Sequence, residues 1–244
     1  LYLWCTERCT VFQLSLLGFE LTYPYYKISK EIKKLKLKYR VVSMLKHKRY
    51  PLRNIYIQPL ISKMTSKSSS YKVFIATSLD GYIADINGGI GFLDIFPAPE
   101  GDDMGYYDFI DGVDAILMGR KSFETVLGFG IAWPYSKHVF VWSNNMTEIP
   151  EDLNSKVTLV NGDIKNVIDH IHQVGFNNLY IDGGKTIQSF IEENLISEMT
   201  ITTVPVLLGE GISLFGKSNG LKKFKCVGNK LYSNGMVQNK FIRI

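Results

Sequence analysis

An α/β fold with a mostly parallel central sheet, helices on both of its faces and an antiparallel carboxy-terminal portion is what this sequence predicts. Three observations carry it. Short, continuously apolar runs (Ala115–Met118, Val139–Trp142, Leu179–Ile181) have the pattern of strands buried on both faces rather than half exposed. They alternate with segments of helical spacing, the signature of a parallel sheet covered by helices. After Asn194 the pattern changes: Glu198–Val204 alternates, and two further strands, Lys223–Val227 and Met236–Ile242, are separated by Ser233-Asn234-Gly235, a hairpin signal.

Tyr71–Ser78 (YKVFIATS), rich in β-branched and aromatic residues, reads as the first strand of the main body. Leu79-Asp80-Gly81 turns the chain, Ile83-Ala84 is a short apolar pair, and Asn87-Gly88-Gly89 and Ile95–Glu100 are loops. A helix is expected to open at Asp102-Asp103, acidic where the helix dipole favours it, and to run to Ile110, with Gly112 ending it. Ala115–Met118 is the next strand, stopped by Gly119-Arg120, and Lys121–Leu127 is a helix with Ser122 in its first turn. Val139–Trp142 and Val157–Val160 are strands. Ile164–Val174 is a helix with Ile164, Val167, Ile168 and Ile171 on one face. In Asn177–Phe190 (NNLYIDGGKTIQSF) a buried strand breaks at Asp182-Gly183-Gly184, and a helix follows from Lys185 to Asn194. Free backbone N–H groups, a positive helix end and two missing Cβ atoms then meet at one point, which suits an anion; a turn without a ligand has the same pattern.

The 244 residues carry 45% hydrophobic and 21% charged residues, enough for a sizeable core. The net charge of +5 is unevenly spread. Up to Lys63 there are 13 Lys and Arg against 3 acids, a balance of +10; the remaining 15 basic and 20 acidic residues give −5. The apolar part of residues 1–63 is interrupted by Glu7 and Arg8 and is too short to span a bilayer, and its basic run (27–40) follows the apolar segment rather than preceding it as in a secretory signal. That run could form a membrane or nucleic-acid helix. Met64, with a polar leader before the first strand, reads as an alternative start. Residues 1–63 are therefore expected to be a basic extension, non-native or disordered, and residues 71–244 the domain, with no role for nucleic acid or membrane. Cys5, Cys9 and Cys226 offer no disulfide framework, as expected of a reducing compartment. With His47, His138, His170 and His172 they lack zinc-site spacing. His170 and His172, two apart on a helix, are expected at the surface.

In an open parallel sheet, ligands bind beyond the carboxyl ends of the strands. Here those ends carry Thr77-Ser78, Gly119-Arg120-Lys121-Ser122, Ser143-Asn144 and Gly183-Gly184-Lys185, a set suited to a ligand with several phosphates. The G-x-G-x-x-G fingerprint is absent, which argues against an ordinary dinucleotide-binding domain.

In order, IATSLDGYIAD, DAILMGRKSFE, YIDGGKTIQSF and VPVLLGEGISLF resemble the dihydrofolate reductase-like family, and in particular the carboxy-terminal reductase domain of the bacterial bifunctional riboflavin-biosynthesis deaminase-reductase and its stand-alone relatives. The similarity covers Tyr71 to the end. The zinc deaminase signature of the other half is absent. The resemblance implies a cytoplasmic, homodimeric enzyme using NADPH as hydride donor. Ala76 and Ile83 would hold the nicotinamide carboxamide, Gly119, Arg120 and Ser122 phosphates, Ser143 and Asn144 the adenosine 2′-phosphate region, and Gly183 and Gly184 the pyrophosphate. It implies as acceptor the phosphoribosylamino-pyrimidine of riboflavin synthesis, with dihydrofolate or another small heterocycle, or NADPH binding without turnover, as alternatives. By position Asp103 would be the catalytic helix acid of dihydrofolate reductases, or a helix-start acid without that role. Tyr107 lies one turn on, and Lys185 is either a contact for the acceptor's phosphate or a solvated lysine.

Overall fold

The computed structural model describes residues 11–16, 19–24 and 69–244. The chain divides into two units, Leu1–Met64 and Thr65–Ile244. In the first, β1 (Val11–Leu16) and β2 (Phe19–Pro24) pair antiparallel, Val11 opposite Pro24 and Leu16 opposite Phe19. The basic run lies outside the described residues.

The second unit contains β3 (Ser70–Thr77), β4 (Tyr82–Ala84), α1 (Tyr106–Asp111), β5 (Ala115–Gly119), α2 (Arg120–Gly128), β6 (His138–Trp142), β7 (Val157–Val160) and α3 (Ile164–Gln173). It continues with β8 (Asn178–Asp182), α4 (Gly184–Glu192), β9 (Ile196–Thr203), β10 (Ile212–Ser213), β11 (Phe224–Leu231) and β12 (Val237–Arg243). Eight strands form one sheet in the order β11-β12-β9-β3-β8-β5-β6-β7. The strands from β9 to β7 in that order are parallel, and β12 and β11 are added antiparallel. The fold class predicted from the apolar runs is the one observed.

Period-two alternation distributes the strand residues between the two faces. Leu179 and Ile181 of β8 pack with Leu117, Phe140, Ile171, Ile187 and Phe190 on the face covered by α3 and α4. Tyr180 points the other way, with Ile116, Met118, Val139, Phe123 of α2 and Ile110 of α1. Phe123 and Phe190 are fully buried, each contributing about 1.5–3 kcal/mol in area terms. A third cluster, Phe92, Val204, Tyr232 and Met236, closes the sheet beside β3. Among the described residues no helix is long and apolar enough to cross a membrane.

Three expectations change. The first helix begins at Tyr106, not at Asp102-Asp103, because Met104 and Gly105 take positive φ of 56° and 81° and break the helical path. The Asp carboxylates instead accept loop N–H groups: Asp102 Oδ1 from Met104 (2.8 Å), Asp103 Oδ1 from Gly105 (3.0 Å) and Asp103 Oδ2 from Tyr107 (2.6 Å). The pair Ile83-Ala84 belongs to β4, which finds an antiparallel partner in β10, a strand not anticipated. His172 is not simply a surface residue: its Nε2 lies 3.1 Å from the Tyr71 hydroxyl and the two rings stack.

Candidate functional site

Because β8 inserts between β3 and β5, the carboxyl ends of β5 and β8 lie side by side, and each leads through a glycine directly into a helix. The two turns interlock. A Cβ on Gly183 would sit 2.3 Å from Ser122 Oγ in the first turn of α2. A Cβ on Gly119 would sit 3.1 Å from Thr186 Oγ1 in the first turn of α4. Gly183 has φ +85°, a conformation that side-chain-bearing residues rarely adopt. Neither helix start has a side-chain cap, so two sets of first-turn N–H groups are left to face one region. Gly184 is pressed from the other side by Ile83 of β4 and Ile212 of β10, 3.0 and 3.3 Å from where its Cβ would be. The sequence-predicted Gly119, Ser122, Gly183, Gly184 and Ile83 are thus brought together.

The sheet itself is split here. β3 pairs with β8 only over Ser70–Lys72, while on its other side it pairs with β9 as far as Thr77. Beyond Lys72 one backbone edge of β3, including that of Ala76, therefore faces a crevice at the carboxyl end of the sheet. Tyr180 of β8 reaches into that gap, its hydroxyl donating to the Phe74 carbonyl at 2.8 Å.

Asp182, the last residue of β8, lies on the same face of the strand as Tyr180, with its Oδ1 3.4 Å from the Tyr180 hydroxyl. Burial pushes the Asp182 carboxyl above the ordinary carboxylate range, opposed by hydrogen bonds from the Gly183 N–H and Tyr180. Its charge in turn acts on Tyr106, Tyr135 and Tyr180, all three raised chiefly by burial. Aromatic rings pack around Tyr180 on this face of the sheet. Phe109 lies edge-on to Tyr180 and tilted against Phe74, both at 5.0 Å; Tyr106 meets Phe74 at 5.8 Å, and Trp133 stands between Phe123 (5.7 Å) and Tyr135 (5.3 Å). Trp133 Nε1 is buried without a hydrogen-bond partner.

The remaining predicted residues lie at the rim or outside. Arg120 is half exposed and ion-paired to Glu124 one turn on (2.9 Å). The Ser143 hydroxyl accepts the Asn145 and Met146 N–H groups, and Asn144 Oδ1 accepts the Gly162 N–H at 2.9 Å, so both side chains shape the loop after β6. Tyr107 is 70% exposed, and it is its neighbour Tyr106 that turns toward Phe74 and Asp182. Asp103 is an exposed loop cap, and Lys185 is exposed on α4, the helix of the opposite face. Sequence reasoning passed over Asp182, Tyr106, Trp133, Tyr135 and Tyr180. For Asp182 a signal was present: it follows Leu179-Tyr180-Ile181 in register, so alternation alone sets it beside Tyr180. Tyr135 and Trp133 sit in a loop with no local pattern. Among the described residues no group of His, Cys, Asp and Glu could hold a metal ion.

A split parallel sheet with two glycine-led helix starts beside the split defines a dihydrofolate reductase-like α/β protein. Solved structures share the fold: a putative riboflavin biosynthesis protein from Shewanella sp. PV-4 at 44% identity and TM-score 0.69, covering 72% of this chain and 99% of that one. A pyrimidine reductase-like protein from Corynebacterium diphtheriae (14%, 0.54, 72% and 92%) and the deaminase/5-amino-6-(5-phosphoribosylamino)uracil reductase of Thermotoga maritima (14%, 0.56, 77% and 60%) are similar in fold. Residues 72–238 match the RibD C-terminal domain, and the chain belongs to that family. Two Bacillus subtilis proteins of uncharacterized role are also similar: YwjB, 34% identical over 173 residues (70% of this chain, 96% of YwjB), and YyaP, 30% over 178 (67% and 89%).

Proposed function

We propose that the chain is an NADPH-dependent reductase that adds hydride to the carbon of a C=N bond in an acceptor held beside Asp182. The observation that supports this best is the crevice between β3 and β8, flanked on one side by two uncapped helix starts and on the other by a half-buried acid whose carboxyl desolvation pushes up. The two glycine-led turns suit a pyrophosphate, since both helix starts present first-turn N–H groups without a side-chain cap. Gly119, Ser122, Gly183 and Gly184 would hold that group, Ser143 and Asn144 the adenosine 2′-phosphate region, and Ile83 with the free edge of Ala76 the carboxamide. Arg120 would exchange Glu124 for a phosphate. NADPH, when bound, supplies the hydride.

The chain's own contribution is protonic and positional. Asp182 keeps its proton to higher pH than a solvated carboxylate and can pass it to the acceptor nitrogen as the neighbouring carbon is reduced. Tyr180 and Tyr106 fix the approach to that acid. The relatives named for riboflavin biosynthesis suggest as acceptor the opened ribosylamino form of 5-amino-6-(5-phosphoribosylamino)uracil. Dihydrofolate or another small heterocycle is the second reading, favoured by the position of Lys185 away from the Asp182 face. We place the enzyme in the cytoplasm, as a homodimer.

The test is a fluorescence titration of NADPH followed by turnover, read as loss of reduced-nicotinamide absorbance with each acceptor. Oxidation with one of them is expected. Binding without oxidation of any would make this a non-catalytic NADPH-binding protein, and no binding at millimolar NADPH would overturn the reading altogether.

A further inference from the structure

We propose that Gln238 is a positioning residue for the reduction: its carboxamide holds the left-handed turn at Met104-Gly105 and thereby sets α1 against the crevice edge of β3. The inference rests on reading that crevice as the place where hydride is transferred.

Met104 is the strained point. Among the described residues only Met104 and Asn194 have positive φ without being glycine, both at 56°, and methionine has no side-chain oxygen to ease that conformation as asparagine does. Such a residue persists only where its surroundings hold it. Here both of its backbone polar groups are held. Its N–H donates to Asp102 Oδ1 (2.8 Å), and Asp102 Oδ2 in turn takes the Lys230 ammonium of β11 (2.9 Å). Its carbonyl accepts from Gln238 Nε2 of β12 at 3.0 Å. The same nitrogen donates to buried Thr202 Oγ1 of β9 (3.0 Å), and Gln238 Oε1 accepts from the buried Tyr232 hydroxyl (3.3 Å), so both ends of the carboxamide are engaged. Asn234 Nδ2, in the turn between β11 and β12, donates to the Pro97 carbonyl (2.8 Å) and ties down the earlier part of the same loop.

What is held in this way lies beside the crevice. Gly105 follows at φ 81°, and α1 begins at Tyr106. Met104 packs with Ala76 in the third cluster, while Tyr106 and Phe109 of α1 meet Phe74 at 5.8 and 5.0 Å. Phe74 and Ala76 belong to the part of β3 past Lys72, where its edge is no longer paired with β8. At six residues α1 is too short to be stable by itself, so its place depends on what holds the turn before it. Gln238, two strands away from β3 in the sheet, supplies that hold.

The experiment uses the full chain with NADPH and 5-amino-6-(5-phosphoribosylamino)uracil, or dihydrofolate where only that acceptor is turned over. Gln238→Met keeps the length of the side chain and removes its bonds; Thr202→Val removes one bond of the same carboxamide and leaves the one to Met104. Both are expected to melt slightly below the parent. Only Gln238→Met is expected to lower kcat/KM for the acceptor, by ~10-fold, with the Kd for NADPH kept within about two-fold and faster amide exchange over residues 104–111. Parent kinetics in Gln238→Met, or an equal fall in both variants, overturns the inference. Asp102→Ala releases Met104 from its other side and is expected to show the same selective loss, and the double variant to lose less than the product of the two single effects. Fully multiplicative losses would mean that the two residues do not act through one turn, and overturn it too. A parent chain that oxidises NADPH with neither acceptor removes the reductase reading itself, and the inference with it.

Discussion

Asp182 is where function and stability pull apart at the scale of one residue. Its pKa is raised in the folded chain, so between the unfolded value near ~3.9 and the folded one the native state holds more protons than the unfolded state. Stability therefore falls as pH rises through that window, and at neutral pH the acid is a cost. Asp182→Asn is expected to melt higher than the parent at pH 7.5 and to lose that advantage as pH drops below the ordinary carboxylate range, while turnover falls by ~10²–10⁴. Equal melting at both pH values would mean the acid is not held up by burial. The two glycines differ in kind. Gly183→Ala must place a side chain at φ +85° and 2.3 Å from Ser122 Oγ, and is expected to cost ~1–3 kcal/mol and most of the cofactor affinity. Gly119→Ala, at φ −79° and with only Thr186 Oγ1 at 3.1 Å to displace, should cost clearly less in urea unfolding. A reversed order would separate the cradle from the backbone argument.

Between elements, Asp80 is the chief tie. It accepts from Ser78 Oγ (2.6 Å) and from the N–H groups of Leu208 (3.2 Å) and Gly209 (2.8 Å), joining the β3–β4 turn to the loop that leads into β10. Those bonds, the Ser78 hydroxyl first, hold its pKa below the ordinary value, so the tie is complete above the ordinary carboxylate range and loosens as pH falls through the lowered one. Since β4 and β10 supply the Ile83 and Ile212 that press on Gly184, Asp80→Ala is expected to raise the KM for NADPH several-fold with kcat less affected, and to speed amide exchange over residues 207–212. Exchange without a KM change would limit Asp80 to loop stability. Apolar runs and glycine breaks made β5, β6, β8 and the starts of α2 and α4 legible in the sequence, because buried parallel strands advertise themselves locally. The first helix was misplaced, because the positive φ at Met104 carries no composition signal. The surroundings of Asp182 were largely hidden for a related reason: Tyr106, Tyr135 and Asp182 come from three separate stretches of chain and meet only through the sheet order.

At the scale of the whole second unit, the parallel strands are covered but the antiparallel pair is not. β11 is exposed along almost its whole length, Leu231 is 74% and Leu221 82% exposed, and among the described residues β11 ends the sheet with an unpaired backbone edge. Beside it, a cavity of about 560 Å³ lies between α4, β9, β12 and the 214–222 loop, lined by Met199, Ile201, Phe224 and Phe241. A long edge strand and an apolar hollow on one side of the sheet are the features that isolated domains avoid and that a second copy covers. An antiparallel contact through β11 would bury both at once and is compatible with two-fold symmetry, since the same strand serves on each protomer. The crevice and glycine cradle lie on the other side of β9 and stay open in that arrangement. The full chain is therefore expected to sediment as a dimer, and Val227→Glu with Leu231→Glu to shift it to monomer by opposing like charges across the seam, with NADPH affinity kept within about two-fold. A parent chain that sediments as a monomer at tens of micromolar would refute the arrangement, and a doubly substituted chain that stays dimeric would move the interface elsewhere.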